Sequence, residues 1–144
     1  MKGETIFMES EAKAPAQAWL LSTAGWLIPG AGHLLQGKFV RGLLLAAVVW
    51  FCFIAGLLMG GHMFSVGGND QGASTLLQLA PMVANLGSGI LYIVCWFAGI
   101  GFSDDPMLAA RATYEYGNTF LLIAGLLNYL ATLDAFDISA GRKT

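Results

Sequence analysis

Residues 42–59 read Gly42-Leu-Leu-Leu-Ala-Ala-Val-Val-Trp-Phe-Cys-Phe-Ile-Ala-Gly-Leu-Leu-Met59, with no charge and no polar face. Lys38 and Arg41 stand just before this stretch, and Gly60-Gly61 follows it. A spanning helix needs about 20 apolar residues for a hydrocarbon core of roughly 30 Å. Lipid offers the backbone no hydrogen bonds, so such a run is expected to be a helix that satisfies its own amides. Gly56-x-x-x-Gly60 offers a surface on which another helix can approach closely.

Working outward, three further long runs lack Asp, Glu, Lys and Arg: Ala14–Gly37, Gln71–Ser103 and Tyr116–Leu133, of 24, 33 and 18 residues. Hydrophobic residues make up 56% of the 144 and charged residues 11%, less than half the roughly 25% of a soluble domain. Mean hydropathy is +0.65. These figures exclude a disordered chain, a nucleic-acid partner and a solvated enzyme. Strand alternation is absent, which disfavours a β-barrel. The expected fold is all-α, an integral membrane bundle of four hydrophobic helices in a single domain, placed as a multi-pass protein in a bacterial inner membrane with lipid around it.

The expected divisions are a polar tail at 1–14, a first helical hairpin at 15–60 and a Gly-rich loop at 61–75. A third helix at 76–102, an interfacial helix at 104–116, a fourth helix at 117–136 and a tail at 137–144 follow. Glu4, Glu9 and Glu11 interrupt the N-terminus, so no basic region leads into an apolar one and the first segment is expected to be a signal anchor. Pro29-Gly30 lies inside the first run and predicts a kink or break there. A kinked span reaching Gln36 is favoured over a re-entrant hairpin. Ser74 to Phe102 is about 43 Å as one helix, and it is expected to cross, with Gly87 and Gly89 tolerated within it. That crossing would put 61–75 and 103–116 on opposite membrane faces. Ala80, Ala84 and Ser88 form a small-residue face, and Pro81 bends the helix only mildly. Asp105 reads as an N-cap with Pro106 at the first helical position. Gly117-Asn118 is expected to separate the interfacial helix from the last span. With four spans, Lys and Arg divide almost evenly and leave orientation open.

The stretch Pro29-Gly-Ala-Gly-His33-Leu-Leu-Gln-Gly37-Lys38-Phe-Val-Arg41-Gly42 resembles the interhelical turn of the two-transmembrane-helix domain family over residues 17–60. His33, Gly37 and Lys38 fit that pattern, and Leu34-Leu35 stands where the family carries an aromatic pair. The remainder, including Asn128-Tyr-Leu-Ala-Thr-Leu-Asp134-Ala-Phe-Asp137, looks like small bacterial membrane families sharing this opening. The resemblance implies a helical hairpin and neither an enzymatic activity nor a ligand.

Candidate sites follow from chemistry. His33, Lys38 and Arg41 are candidate contacts for lipid headgroups or another anion, weighed against a turn with interface anchors. Asn85 and Asn128 are the polar groups deepest in the runs, as functional marks or as interhelical hydrogen bonds. Asp134 and Asp137, three apart, are candidate interfacial carboxylates. With Asp104 and Asp105 they invite an aspartyl protease, but Gly99-Ile-Gly101-Phe-Ser-Asp104 places the acid too late for a Gly-x-Gly-Asp signature. Cys52, Met59, His62 and Met63 match no metal-ligand spacing. No catalytic residue, cofactor or metal is expected. The expected function is non-enzymatic: a structural or assembly role through helix–helix contacts, as an accessory subunit of a larger complex or a homo-oligomer. The alternative is a small oligomeric transporter or channel.

Overall fold

The computed structural model describes residues 16–65, 75–103 and 105–142, with the backbone alone at 75–78. The polar tail, the turn at Gly67–Gly72, the helix start at Ser74 and Asp104 lie outside the described residues. Within them the fold is all-helical: α1 (16–27), α2 (Ala31–Leu35), α3 (Phe39–Leu58), α4 (Thr75–Leu86), α5 (Ile90–Ala98), α6 (Pro106–Ala109) and α7 (Tyr114–Ser139).

Two of these, α3 with 20 residues and α7 with 26, are long and apolar enough to cross a membrane. They span about 30 and 39 Å. They pack antiparallel. At one end Gly56 lies against Gly117 and Leu121, and at the other Arg41 pairs with Asp134. The packed stripe of α7 reads Gly117, Leu121, Ala124, Gly125, Asn128, Ala131 and Ala135, all buried. Its small residues let a neighbouring backbone come close. The other faces are apolar and bare, with Phe51, Leu58 and Leu130 among the exposed residues.

The first run folds as a hairpin rather than a kinked span. α1 climbs along the last turns of α7, with Trp19 edge-on to Phe136 and Ser22 Oγ donating to the Thr132 carbonyl. It stops at Leu27. Pro29 cannot continue the hydrogen-bond ladder, and Gly30 turns the chain at φ 87°, a conformation costly for any residue with a Cβ. α2 then descends, and Gly32 returns to the level of Leu21 and Ala135.

The third run also breaks, against expectation. α4 ends at Leu86, α5 begins at Ile90, and the two axes differ by 110°. α5 runs back to the end where α3 finished. There the Met63 amide donates to the Gly101 carbonyl at 2.7 Å, and Tyr92 donates its hydroxyl to the Phe64 carbonyl at 2.9 Å. The core of this half gathers Val49, Cys52, Phe53, Met63, Tyr92, Cys95 and Leu121. Thr113 Oγ1 donates to the Met59 carbonyl, and Gly60 faces Arg111. The beginning of the 61–75 loop and the 103–116 segment therefore share one end of the molecule. This arrangement runs against the expectation of opposite faces, because the long run bends back on itself at 86–90.

Asp105 caps α6 through a 2.9 Å bond from the Met107 amide, with Pro106 following, as the sequence indicated. α6 is only four residues long, and Tyr114 and Tyr116 already belong to α7. Gly117-Asn118 does not interrupt α7. Gly117 is instead packed against Gly61, and Asn118 Oδ1 accepts from the His62 amide.

Candidate functional site

Both helix breaks occur at mid-height of α7, and their tips touch. Each break strands a carbonyl. In a continuous helix the Trp26 carbonyl would accept from residue 30 and the Gly87 carbonyl from Leu91. The turn at Pro29-Gly30 removes the first, and Leu91 N–H goes to the Ser88 carbonyl instead. The side-chain amide of Asn128 supplies both missing donors: Nδ2 lies 2.8 Å from the Trp26 carbonyl and 2.8 Å from that of Gly87. With both N–H bonds committed, the amide is fixed and Oδ1 faces away as an acceptor.

Close backbone contact makes this reach possible. Gly125 abuts the Ala84 carbonyl, and Gly87 abuts the Gly125 carbonyl and the Tyr129 ring. Gly89, at φ 60° and ψ −123°, passes directly over the Trp26 carbonyl. Ala84 and Ser88 of the expected small-residue face are buried here, while Ala80 lies outside it.

The junction holds unanswered polar atoms. Among the described residues, Asn85 Nδ2 and Oδ1, Ser88 Oγ and Asn128 Oδ1 are buried with no hydrogen-bond partner. All three residues are at most 1% exposed. Thr132 Oγ1, one turn along α7 from Asn128, is unpartnered too. Thr132, Trp19, Ser22, Thr23, Trp26 and Tyr129 line a groove of about 280 Å³ between α1 and α7, beside the junction. A second pocket, of about 200 Å³, lies at the far end beside Gly60, His62, Ser103 and Arg111.

The other expected residues gather below. Asp134 Oδ2 lies 2.9 Å from His33 Nε2 and 3.1 Å from Arg41 Nη2. Gln36 Nε2 donates to the Ala135 carbonyl at 2.9 Å. His33, 1% exposed, is therefore turned onto the protein's own carboxylate rather than offered to an external anion, and Arg41 shares that carboxylate while remaining half-exposed. Lys38 occupies the N-cap of α3. Asp137 pairs at 3.7 Å with Arg142, an exposed contact distinct from the Asp134 cluster. Asn85 is buried in the last turn of α4, beside the break, and of the two asparagines only Asn128 makes interhelical bonds.

Residues 20–144 match a family described as DUF6677, a family of unknown function. The chain belongs to that family. No curated protein and no solved structure matches it. The match to DUF6677 runs through both hairpins and α7, so the family unit includes the whole junction. The match does not name the two-transmembrane-helix domain family, whose resemblance covered residues 17–60 alone.

Sequence reasoning missed Trp26, Gly87, Ser88 and Thr132 as parts of the site. Their signal was Gly87-Ser88-Gly89 inside a run too long for one span yet suited to two short arms and a turn.

Proposed function

We propose that the protein is a multi-pass cell-membrane protein that moves a small polar species across the bilayer. The observation carrying this reading is the meeting of two half-length hairpins from opposite ends, tip to tip, around unpartnered polar side chains. α1 and α5 are about 18 and 14 Å long, so together they match a hydrocarbon core of roughly 30 Å. Irregular backbone at membrane depth is tolerated where protein covers it or where it borders a watery cavity. Transporter folds place their sites at such helix breaks near the midplane, between halves of inverted topology. Here the order hairpin–α3 and hairpin–α7 repeats with opposite direction.

Lys38, Arg41 and Arg142 lie at the end where α3 begins, and Arg111 lies at the other. The positive-inside rule assigns the Lys38 end, with the groove at Trp19, to the cytoplasm.

The test is water access. Ser88→Cys in a Cys52→Ala/Cys95→Ala background is treated, in sealed vesicles, with a small, water-soluble, uncharged thiol reagent that reacts only with a hydrated thiolate. A transport path predicts modification of this buried position. No modification, with the protein folded, overturns the reading.

A second reading, an accessory subunit or homo-oligomer acting by helix contact, is favoured by the bare apolar sides. Leu58 is 77% and Phe97 79% exposed, and Ile28 at the first break is 49% exposed. Co-purification of unrelated subunits in stoichiometric amount from native membrane supports it, and recovery of this chain alone opposes it.

A further inference from the structure

Resting on the transport reading, we infer that the species accommodated at the junction is a small uncharged solute carrying both hydrogen-bond donors and acceptors, on the scale of water, urea or glycerol, and not an ion. Three observations carry this.

The first is the inventory of unsatisfied groups. Asn128 Oδ1 is a fixed acceptor, because its amide hydrogens are held by Trp26 and Gly87. Ser88 Oγ is free to donate and accept, and the Asn85 amide is unpartnered at both its oxygen and its nitrogen. A guest that only accepts leaves Asn128 Oδ1 unanswered. A guest that only donates leaves the Asn85 N–H groups unanswered. A neutral solute with both functions answers all of them.

The second is the absence of charge. The residues that form the junction, Trp26, Ala84, Asn85, Gly87, Ser88, Gly125 and Asn128, carry none. Asp134, two turns along α7, is engaged by His33 and Arg41. An ion stripped of water there meets no counter-charge, and a divalent cation in particular calls for carboxylates.

The third is the arrangement of helix ends. α1 and α4 bring C-terminal, carbonyl-rich ends to the junction, and α2 and α5 bring N-terminal ends to the same place. Their end charges oppose one another, so neither pole stands alone at the junction.

The experiment uses the full chain reconstituted in phosphatidylcholine–phosphatidylglycerol vesicles. Stopped-flow light scattering reads osmotic water, urea and glycerol movement, and a potential-sensitive dye reads Na⁺, K⁺ and Cl⁻ movement. The expected result is permeation of at least one neutral solute above protein-free vesicles, with no ion movement. Asn85→Leu and Ser88→Ala should each lower that permeation by about threefold to tenfold, the equivalent of one hydrogen bond. Because either variant can misfold, the Ser88→Cys protein gives an independent arm: thiol modification blocks the flux and a reductant restores it in the same sample. Ion movement blocked by the same modification overturns the uncharged class while leaving transport standing. Absence of any solute or ion movement overturns the inference, and if Ser88→Cys is also unreactive the transport reading falls with it.

Discussion

The side-chain amide of Asn128 donates to the carbonyl of Trp26 at 2.8 Å, across 102 residues of chain. The same nitrogen bonds Gly87, 41 residues away, so one side chain ties the two helix breaks to the middle of α7. Removing it strands two buried carbonyls at once. Asn128→Leu is expected to lower stability by about 1–3 kcal/mol, the usual cost of leaving buried polar groups unpaired. Thermal unfolding in mild detergent measures this. A Leu variant as stable as the parent would mean the breaks hold their shape without the amide.

Gly125 makes a companion case by packing rather than bonding. A Cβ at this position runs into the Ala84 carbonyl, which is backbone and cannot swing aside. Gly125→Ala is expected to part α4 from α7 and to cost about 1–3 kcal/mol, typical of overpacking. Gly99→Ala is the comparison, since its Cβ meets nothing and only the positive φ of 67° is penalised. That penalty is about 1–2 kcal/mol. A Gly125→Ala variant as stable as the parent would show that the Ala84 carbonyl can move aside and that contact across the junction does not govern the site.

The Asp134 cluster separates buried from exposed partners of one carboxylate. His33 is 1% exposed at its side chain and Arg41 is 45% exposed. An exposed ion pair contributes about 0–1 kcal/mol, whereas a buried group that loses its hydrogen bond costs about 1–3 kcal/mol. Asp134→Ala is therefore expected to be clearly more damaging than Arg41→Ala in thermal unfolding, because it strands His33 as well. If Arg41→Ala matches Asp134→Ala, the α3–α7 ion pair rather than the histidine bond accounts for the contribution of the carboxylate.

The sequence carried the helical class, the break at Pro29 and the Asp105 cap, because each rests on local chemistry: a missing N–H, a short carboxylate, an apolar run. The second break did not show in the same way. Gly87 and Gly89 are ordinary in membrane helices, and what forces the turn is the Trp26 carbonyl under Gly89, contributed from more than 60 positions earlier. The pairing of His33 with Asp134 was hidden for a related reason. Each looked like an interface anchor until α3 and α7 packed antiparallel and brought residues 101 apart in sequence together. Asn128 was legible as an unusual polar residue, but its two acceptors exist only because two other helices break. Lys and Arg gave no orientation while four spans were assumed. Folding the first and third runs into hairpins is what separates Lys38, Arg41 and Arg142 from Arg111.

That rearrangement makes the membrane topology directly testable. The start of the 61–75 loop touches the segment after α5, through the Met63–Gly101 and Thr113–Met59 bonds. Two groups in direct contact cannot occupy opposite faces of a bilayer. Asp137 belongs to the other end, near the close of the 26-residue α7 and about 35 Å from its start. Single cysteines at Ser65, Ala109 and Asp137, each in a Cys52→Ala/Cys95→Ala background, can be challenged with an impermeant thiol reagent on intact cells and again after permeabilisation. Ser65→Cys and Ala109→Cys are expected to react alike from outside, and Asp137→Cys only once the membrane is opened. If Ser65→Cys and Ala109→Cys label from opposite sides, α4 and α5 form one crossing helix, and the tip-to-tip junction at Asn128 does not exist in the membrane.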